Sequence, residues 1–142
     1  MTKGRASVVI AIVLIVSMTT LLSSRNNNIF VDGSPVLAKR GKTFSGEATY
    51  YNPGLGSCGK NSANTDMVVA INKPQWGNPA NPNKNKICGK KIRVKGPIGS
   101  VTAKLVDMCP ECPYGNLDLS PSAFDKIAKR SAGRVRVTWK YL

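Results

Sequence analysis

The segment that most constrains the fold is residues 104–128, where several short structural signals follow one another closely. An apolar run ending at Asp107 predicts a buried strand, and a Cys-x-x-Cys loop follows it. Asp118 then lies between two leucines, and Ser120 with Pro121 marks a helix start, because these residues favour the N-cap and the first helical position. Acids are scarce, with 7 Asp plus Glu against 21 Lys plus Arg. Two acids at the ends of hydrophobic runs are therefore candidate functional residues.

The first forty residues predict a secretion signal rather than part of the fold. Two basic residues precede an uncharged, mostly apolar run over residues 6–22, which is shorter than the ~20 residues that a membrane-spanning helix usually needs. We therefore expect a signal peptide over residues 1–23, with an uncleaved signal anchor as the alternative. Residues 24–40 are expected to be a pro-segment or disordered linker, removed after the Lys-Arg pair that ends at Arg40. Residues 41–142 then have the length of one secreted domain, extracellular or bound to a cell wall.

Four cysteines in a small secreted domain predict two disulfides. Three connectivities are possible, and Cys58–Cys88 with Cys109–Cys112 is favoured because the first two lie beside glycines in loop-like sequence and the last two are close neighbours. A redox role for Cys-x-x-Cys would need a helix N-terminus that stabilises a thiolate, whereas another loop follows here. The sequence has no His and no cluster of metal ligands, so we expect neither a metal site nor a cofactor.

The remaining pattern predicts a small, mostly-β barrel of about six short strands with one helix. The last strand alternates apolar with polar, mostly basic residues, which is typical of a strand with one buried face. Residues 72–86 are rich in Pro and Asn without periodicity and predict a long surface loop. A helix is expected from Ser120 to a stop near Gly133. Strands are expected at residues 43–51, 67–71, 91–94, 100–107 and 134–141.

The positive charge, +14 for the whole chain, does not by itself identify a partner. Nucleic acid is not expected, because helix-turn-helix, zinc-finger and aromatic RNA-binding patterns are lacking from the sequence. An anionic wall polymer or another acidic surface is compatible with the charge. The basic residues of the last strand, Arg134, Arg136 and Lys140, are more typical of a solvated strand face than of a site.

Five separated motifs resemble the expansin, loosenin and barwin group of double-psi β-barrel proteins over essentially all of residues 41–142. They read GEATYYNPGLGSCG, VVAIN, NPNKNKICGKKIRVKG, VTAKLVDMCPECPYGNLDLSPSAF and RVRVTWKYL. The resemblance implies a disulfide-stabilised, six-stranded double-psi β-barrel with one or two short helices. Because the cellulose-binding β-sandwich of two-domain expansins is lacking, the chain resembles the single-domain loosenin-like group.

The same resemblance implies an open groove that binds polysaccharide. The acid of the LDLS motif, essential to wall loosening in expansins, falls on Asp118, and Asp107 corresponds to a second acid lining the groove. Trp76, in the Pro- and Asn-rich loop, is expected either to stack on a sugar or to anchor the loop in the core. The other implied substrate-binding residues are Thr49, Tyr51, Pro110 and Glu111.

The acids do not form a complete hydrolytic pair. Inverting glycosidases need a proton donor and a second carboxylate as base. Asp118 is a plausible donor because its leucine neighbours would raise its pKa. Related endoglucanases take their base from the end of the first strand, where this chain has Asn52, and an amide cannot accept that proton. Hydrolysis is therefore not expected. An alternative role for Asp118 is structural, near the helix start at Ser120.

Three functions follow from these observations. The first is a secreted, non-hydrolytic, monomeric protein that binds a polysaccharide of the cellulose, chitin or peptidoglycan type and loosens wall networks. The second is a protease inhibitor or defence protein of the barwin-like type, acting through loops such as residues 52–61 and 76–86. The third is a lytic enzyme on glycans such as peptidoglycan, disfavoured by the lack of His and of a lipobox cysteine near the start of the mature chain.

Overall fold

The computed structural model describes residues 41–142, so the predictions for the signal peptide, the pro-segment and dibasic processing lie outside the described residues. The strands are β1 (Thr43–Tyr50), β2 (Val68–Asn72), β3 (Lys91–Lys95), β4 (Ser100–Cys109), β5 (Leu117–Leu119) and β6 (Val135–Tyr141). Two short helices, α1 (Lys73–Trp76) and α2 (Pro121–Phe124), lie between strands, with 3₁₀ turns at Pro82–Lys84 and Arg130–Ala132.

The six strands close into one barrel in the order β1-β5-β2-β4-β3-β6. Parallel pairing joins β1 to β5 and β2 to β4. Antiparallel pairing joins β1 to β6, β2 to β5, and β3 to both β4 and β6. This mixed, closed, six-stranded topology confirms the expected double-psi β-barrel fold class.

The barrel interior is filled by apolar side chains, which alternate along the strands with outward-facing residues. In β6, Val137 and Trp139 are buried while the residues between them are exposed, as the alternation predicts. Phe124 of α2 is fully buried and packs over one part of this core. Each such side chain stabilises the fold by about 1.5–3 kcal/mol through removal of apolar surface from water. The other large, fully buried apolar side chains are Val69, Ile71, Ile92, Val94, Leu105, Leu117, Leu119 and Ile127.

Both favoured disulfides are present. Cys58–Cys88 joins the loop after β1 to the loop before β3, and its two cysteines pack against the core. Cys109–Cys112 closes a short ring at the end of β4. Among the described residues, no cysteine is left free.

Two expectations about secondary structure are wrong in detail. Residues 72–86 are not wholly loop, because the Asn72 side chain accepts a hydrogen bond from Gln75 N at 3.0 Å and caps α1. The helix after Ser120 is confirmed at its start, where the Ser120 side chain accepts from Ala123 N, but it ends at Phe124 rather than near Gly133. Turns and a 3₁₀ segment follow. Ile127 lies in these turns, and its side chain is buried in the core. Within residues 41–142, no helix has the length and apolar character needed to span a membrane.

Candidate functional site

A row of polar side chains crosses four neighbouring strands of the barrel. Thr49 of β1 is registered with Asp118 of β5. Asp118 is registered with Ala70 of β2, and Ala70 with Asp107 of β4. Side chains at registered positions of adjacent strands project to the same face of a sheet. The fold therefore brings both candidate acids and Thr49 onto one outer face, with the small Ala70 between the acids.

A β-bulge turns Asp107 toward this outer face. Val69 is registered with Leu105, but the next residue, Ala70, is registered with Asp107, so β4 has one extra residue here. Regular alternation would have directed Asp107 to the same side as Leu105, which is fully buried. A bulge redirects the side chains that follow it by one position. The carboxylate of Asp107 consequently lies at the surface beside Asp118 instead of in the core.

Asp118 is half-buried and is held by a strand partner. The Thr49 hydroxyl donates a hydrogen bond to Asp118 Oδ1 at 2.8 Å. Burial is the largest effect on the pKa of the Asp118 carboxyl, and it raises the pKa above its ordinary value. The Thr49 hydrogen bond and the Arg134 charge lower the pKa by less, and the nearby Asp107 charge raises it further. A carboxyl in this setting retains its proton to higher pH than an exposed one.

Asp107 is fixed by a loop residue that the sequence did not single out. Asp107 Oδ1 accepts hydrogen bonds from Ser57 N at 2.8 Å, from Ser57 Oγ at 2.7 Å and from Met108 N at 2.8 Å. Ser57 precedes Cys58, so the disulfide to Cys88 and the Asp107 contact together fix this loop against the barrel. A serine fifty residues away in sequence gives no pattern from which this contact could be predicted.

The Tyr51 hydroxyl is enclosed near both acids. It has no hydrogen-bond partner of good geometry among the described residues. Burial first, and then the negative charges of Asp107 and Asp118, raise the pKa of Tyr51 well above its ordinary range. Tyr51 therefore stays neutral, with its enclosed hydroxyl beside the Asp107 carboxylate.

Two hollows meet at Asp118 and form what we call the acidic groove. One, of about 340 Å³, is bounded by Tyr51, Asp107 and Asp118 together with Pro110 and Glu111. The other, of about 200 Å³, extends from Asp118 and Glu111 past Thr49 to Arg134. The groove thus includes six of the site residues expected from the sequence: Thr49, Tyr51, Asp107, Pro110, Glu111 and Asp118.

Trp76 corrects the expectation of a sugar-stacking aromatic. Its side chain is 5% exposed and belongs to the core cluster. A buried indole presents no face to a ligand, so Trp76 is the loop anchor that the sequence left as its alternative. The sequence feature that indicates the short helix carrying Trp76 is Asn72 followed closely by Pro74, which is an N-cap with Pro in the first turn.

The contacts of Asp118 differ from those expected of a structural acid at the start of α2. Ser120, and not Asp118, provides the side-chain cap of α2. The hydrogen bond formed by Asp118 is the one from Thr49, a residue of the groove.

A buried amide network supports the wall of the groove that carries Asp118. Asn72 Nδ2 donates to Gln75 Oε1 at 2.6 Å and to Asn116 O at 3.0 Å. Asn116 Oδ1 in turn accepts from Glu47 N at 2.9 Å. Gly115 has φ of 88° and its backbone lies directly against that of Ser45, so a side chain there would collide with the Ser45 carbonyl. These contacts fix the segment that leads from the Cys109–Cys112 ring into β5.

A larger hollow among the described residues lies elsewhere. It measures about 780 Å³ and is bounded by β1, β3 and β6. Its one carboxylate, Glu47, forms an ion pair with Arg134 at 3.1 Å. We therefore place the candidate site at the smaller acidic groove, where Asp107, Asp118 and Tyr51 converge. No group of three or more potential metal ligands occurs within residues 41–142.

Comparisons with known proteins agree with the double-psi β-barrel fold. A family model described as lytic transglycolase matches residues 43–139. A papain inhibitor of Streptomyces mobaraensis is 35% identical over 106 residues, 72% of this chain and 73% of that protein. The solved structure of a Streptomyces papain inhibitor aligns with a TM-score of 0.66 and 34% identity over 72% of this chain and 96% of that one.

An expansin is also similar. A mutant Clavibacter michiganensis expansin in complex with cellohexaose aligns with a TM-score of 0.62 and 28% identity. The match covers 71% of this chain and 50% of the expansin, so the chain corresponds to half of that protein's length.

Proposed function

Because this chain belongs to the double-psi β-barrel family described as lytic transglycolase, and because its acids meet in one groove, we propose that it is a polysaccharide-binding protein. In this proposal it is secreted and loosens a cell-wall network without hydrolysis. The observation that carries the proposal is the alignment of Thr49, Asp118 and Asp107 on one outer face. The similarity to an expansin in complex with cellohexaose supports a β-glucan as the first ligand to test.

The groove residues have distinct roles in this proposal. Asp118, with its raised pKa, exchanges a hydrogen bond with a sugar hydroxyl as donor when protonated and as acceptor when charged. Tyr51 lines the hollow beside both acids and in this proposal forms part of the surface that the same chain contacts. Asp107 Oδ1 accepts three hydrogen bonds, so in this proposal the fixed carboxylate orients the groove wall. A proton donor without a carboxylate base after the first strand, where this chain has Asn52, matches disruption of contacts between chains better than hydrolytic cleavage.

The test is Asp118→Asn, with Asp125→Asn as the matched control. Both changes replace one acid by its amide, but Asp125 is exposed and paired with Arg130 away from the groove. Asp118→Asn should reduce the mechanical weakening of cellulose-rich wall strips about tenfold or more, as the loss of a strong hydrogen bond of a charged group predicts. Asp125→Asn should retain full weakening, and no variant should release reducing sugar.

Three results would contradict this proposal. Reducing sugar released from glucan by the parent protein and not by Asp118→Asn would identify a hydrolase. Solubilised peptidoglycan fragments with the same dependence on Asp118 would identify a lytic enzyme. Unfolding of Asp118→Asn, detected by calorimetry, would identify a structural residue.

Protease inhibition is the second candidate, and one loop favours it. Leu55 is 74% exposed at the tip of a loop braced by its bridge to Asn61 and by Cys58–Cys88. An exposed apolar side chain on a rigid loop loses little conformational entropy on binding. The similarity to papain inhibitors covers most of the described chain.

The two candidates are separated by one pair of variants in a papain assay. If the chain inhibits through this loop, Leu55→Asp should abolish inhibition. Ile98→Asp is the matched control, because Ile98 is 61% exposed in the turn between β3 and β4. Inhibition that persists in Leu55→Asp and is lost in Asp118→Asn would assign the protease contact to the acidic groove instead.

A further inference from the structure

The barrel carries a second charged surface, opposite in sign to the groove. The outward positions of β3 and β6, and those of β4 from Ser100 to Lys104, are basic or hydroxylated at every step, and all of them are exposed. We call this surface the basic sheet face and define it by Lys91, Arg93, Lys95, Lys104, Arg136 and Lys140. The hydroxylated residues between them are Ser100, Thr102 and Thr138.

The basic sheet face contains like charges in direct opposition. Lys91 is registered with Lys104, and Arg93 is registered with Lys140. Like charges directly opposite on neighbouring strands destabilise a sheet. The ion pairs among the described residues involve Arg130 and Arg134, so none of these four cations is neutralised by a protein carboxylate. Folding alone gives no reason for this arrangement, whereas an external anion would relieve its repulsion.

The centre of the basic sheet face, β3, lies on the opposite side of the barrel from β5, the strand that carries Asp118. In the closed order of six strands, β3 lies three positions from β5 and β6 lies three positions from β2. Asp118 on β5 and Arg93 on β3 therefore face away from each other. The boundary is marked by Glu47, which is registered with Arg136. A polymer bound on the basic sheet face would leave the groove open to a different chain.

We propose that the basic sheet face is a binding site for a linear, carboxylated polysaccharide of the polyuronate class. Its cations supply the attraction, and the interleaved Ser and Thr hydroxyls suit sugar hydroxyls. Its exposed positions carry no aromatic side chain on which the bases of single-stranded nucleic acid could stack. They also carry no apolar side chain that could enter a lipid surface. The site is independent of the groove and of the function proposed for it.

The test compares two variants that each remove two positive charges. Arg93→Gln/Lys140→Gln removes an opposed pair from the face. Lys84→Gln/Lys86→Gln is the matched control, because both lysines are exposed in the loop before β3. Binding to polygalacturonate should be measured by calorimetry over a range of NaCl concentrations. The parent should bind, with affinity falling as salt rises.

Arg93→Gln/Lys140→Gln should weaken this binding about tenfold or more, and the control about twofold or less. The face variant should keep the neutral-glucan binding proposed for the groove, so failure at one site is distinguishable from failure at the other. Its melting temperature at low salt should not fall, because an unfavourable charge pair has been removed.

Equal losses of polygalacturonate affinity in both variants would mean that net charge alone determines binding, and this would overturn the proposal. Preferential binding of duplex DNA or of anionic phospholipid vesicles over polygalacturonate, lost in Arg93→Gln/Lys140→Gln, would assign the face to a different class of ligand. A lower melting temperature of the face variant would contradict the argument from opposed charges.

Discussion

Removing the two disulfides one at a time should separate the stability of the barrel from the integrity of its groove. Cys58–Cys88 joins residues 30 positions apart, and Cys109–Cys112 joins residues 3 apart. Counted with both cysteines, the closed loops have 31 and 4 residues, which in the chain-entropy description correspond to about 3.7 and about 1.9 kcal/mol of stabilisation. For a domain of about a hundred residues, this difference corresponds to roughly 7 °C in melting temperature.

The effect of the two disulfides on glucan binding in the groove should be in the opposite order to their effect on stability. Cys109 and Cys112 line the hollow that contains Asp118 and Glu111, so opening this ring releases one wall of the groove. Cys58→Ala/Cys88→Ala should therefore lower the melting temperature more, and Cys109→Ala/Cys112→Ala should lower glucan affinity more. Calorimetric melting and glucan binding, measured well below both melting temperatures, give the two quantities on the same samples.

The loop-length reasoning is refuted if Cys109→Ala/Cys112→Ala has the lower melting temperature of the two. The assignment of the groove wall is refuted separately if that variant binds glucan as tightly as the parent protein does.

Two further predictions concern Asp118 and Trp76. Because folding raises the Asp118 pKa above its ordinary 3.8, the stability that this residue contributes is fully present below pH 3.8 and is lost as pH rises through the folded value. Asp118→Asn should therefore melt above the parent near neutral pH, with the difference vanishing in acid; a constant difference across the pH range would contradict this. Trp76→Ala should cost about 3–5 kcal/mol, whereas Leu55→Ala should change stability by about 0.5 kcal/mol or less. Glucan binding lost from a Trp76→Ala protein of normal stability would restore the stacking role.

Regular alternation is the part of this fold that the sequence predicts well. In β6, Val137 and Trp139 recur with period two over seven residues, enough to identify both the strand and its buried face. β5 has three residues, too few to show a period, and sequence reasoning did not identify it as a strand. Its central residue, Asp118, was recognisable through the motif around it rather than through any periodicity.

The orientation of Asp107 shows why the candidate site was harder to predict than the barrel. Leu105 and Asp107 are two positions apart and would share a face in a regular strand. The bulge in β4 depends on how β2 pairs with it, which is a property of two distant segments together. The same holds for Ser57, whose contact with Asp107 exists only after the loop between β1 and β2 has folded back. Composition could identify the acids but not these partners.

The pairing of β1 has a consequence for the order of folding events. Among the described strands, β1 is hydrogen-bonded only to β5 and β6. Thr43 therefore pairs with Lys140, near the other end of the domain, and Thr49 pairs with the distant Asp118. Such non-local contacts require closure of long loops before they add any stability, which makes barrels of this kind slow to fold. During synthesis, β1 emerges long before either partner and remains an unpaired strand until nearly the whole domain is available. The groove, whose Thr49–Asp118 contact spans this last closure, is therefore expected to be among the final features to form.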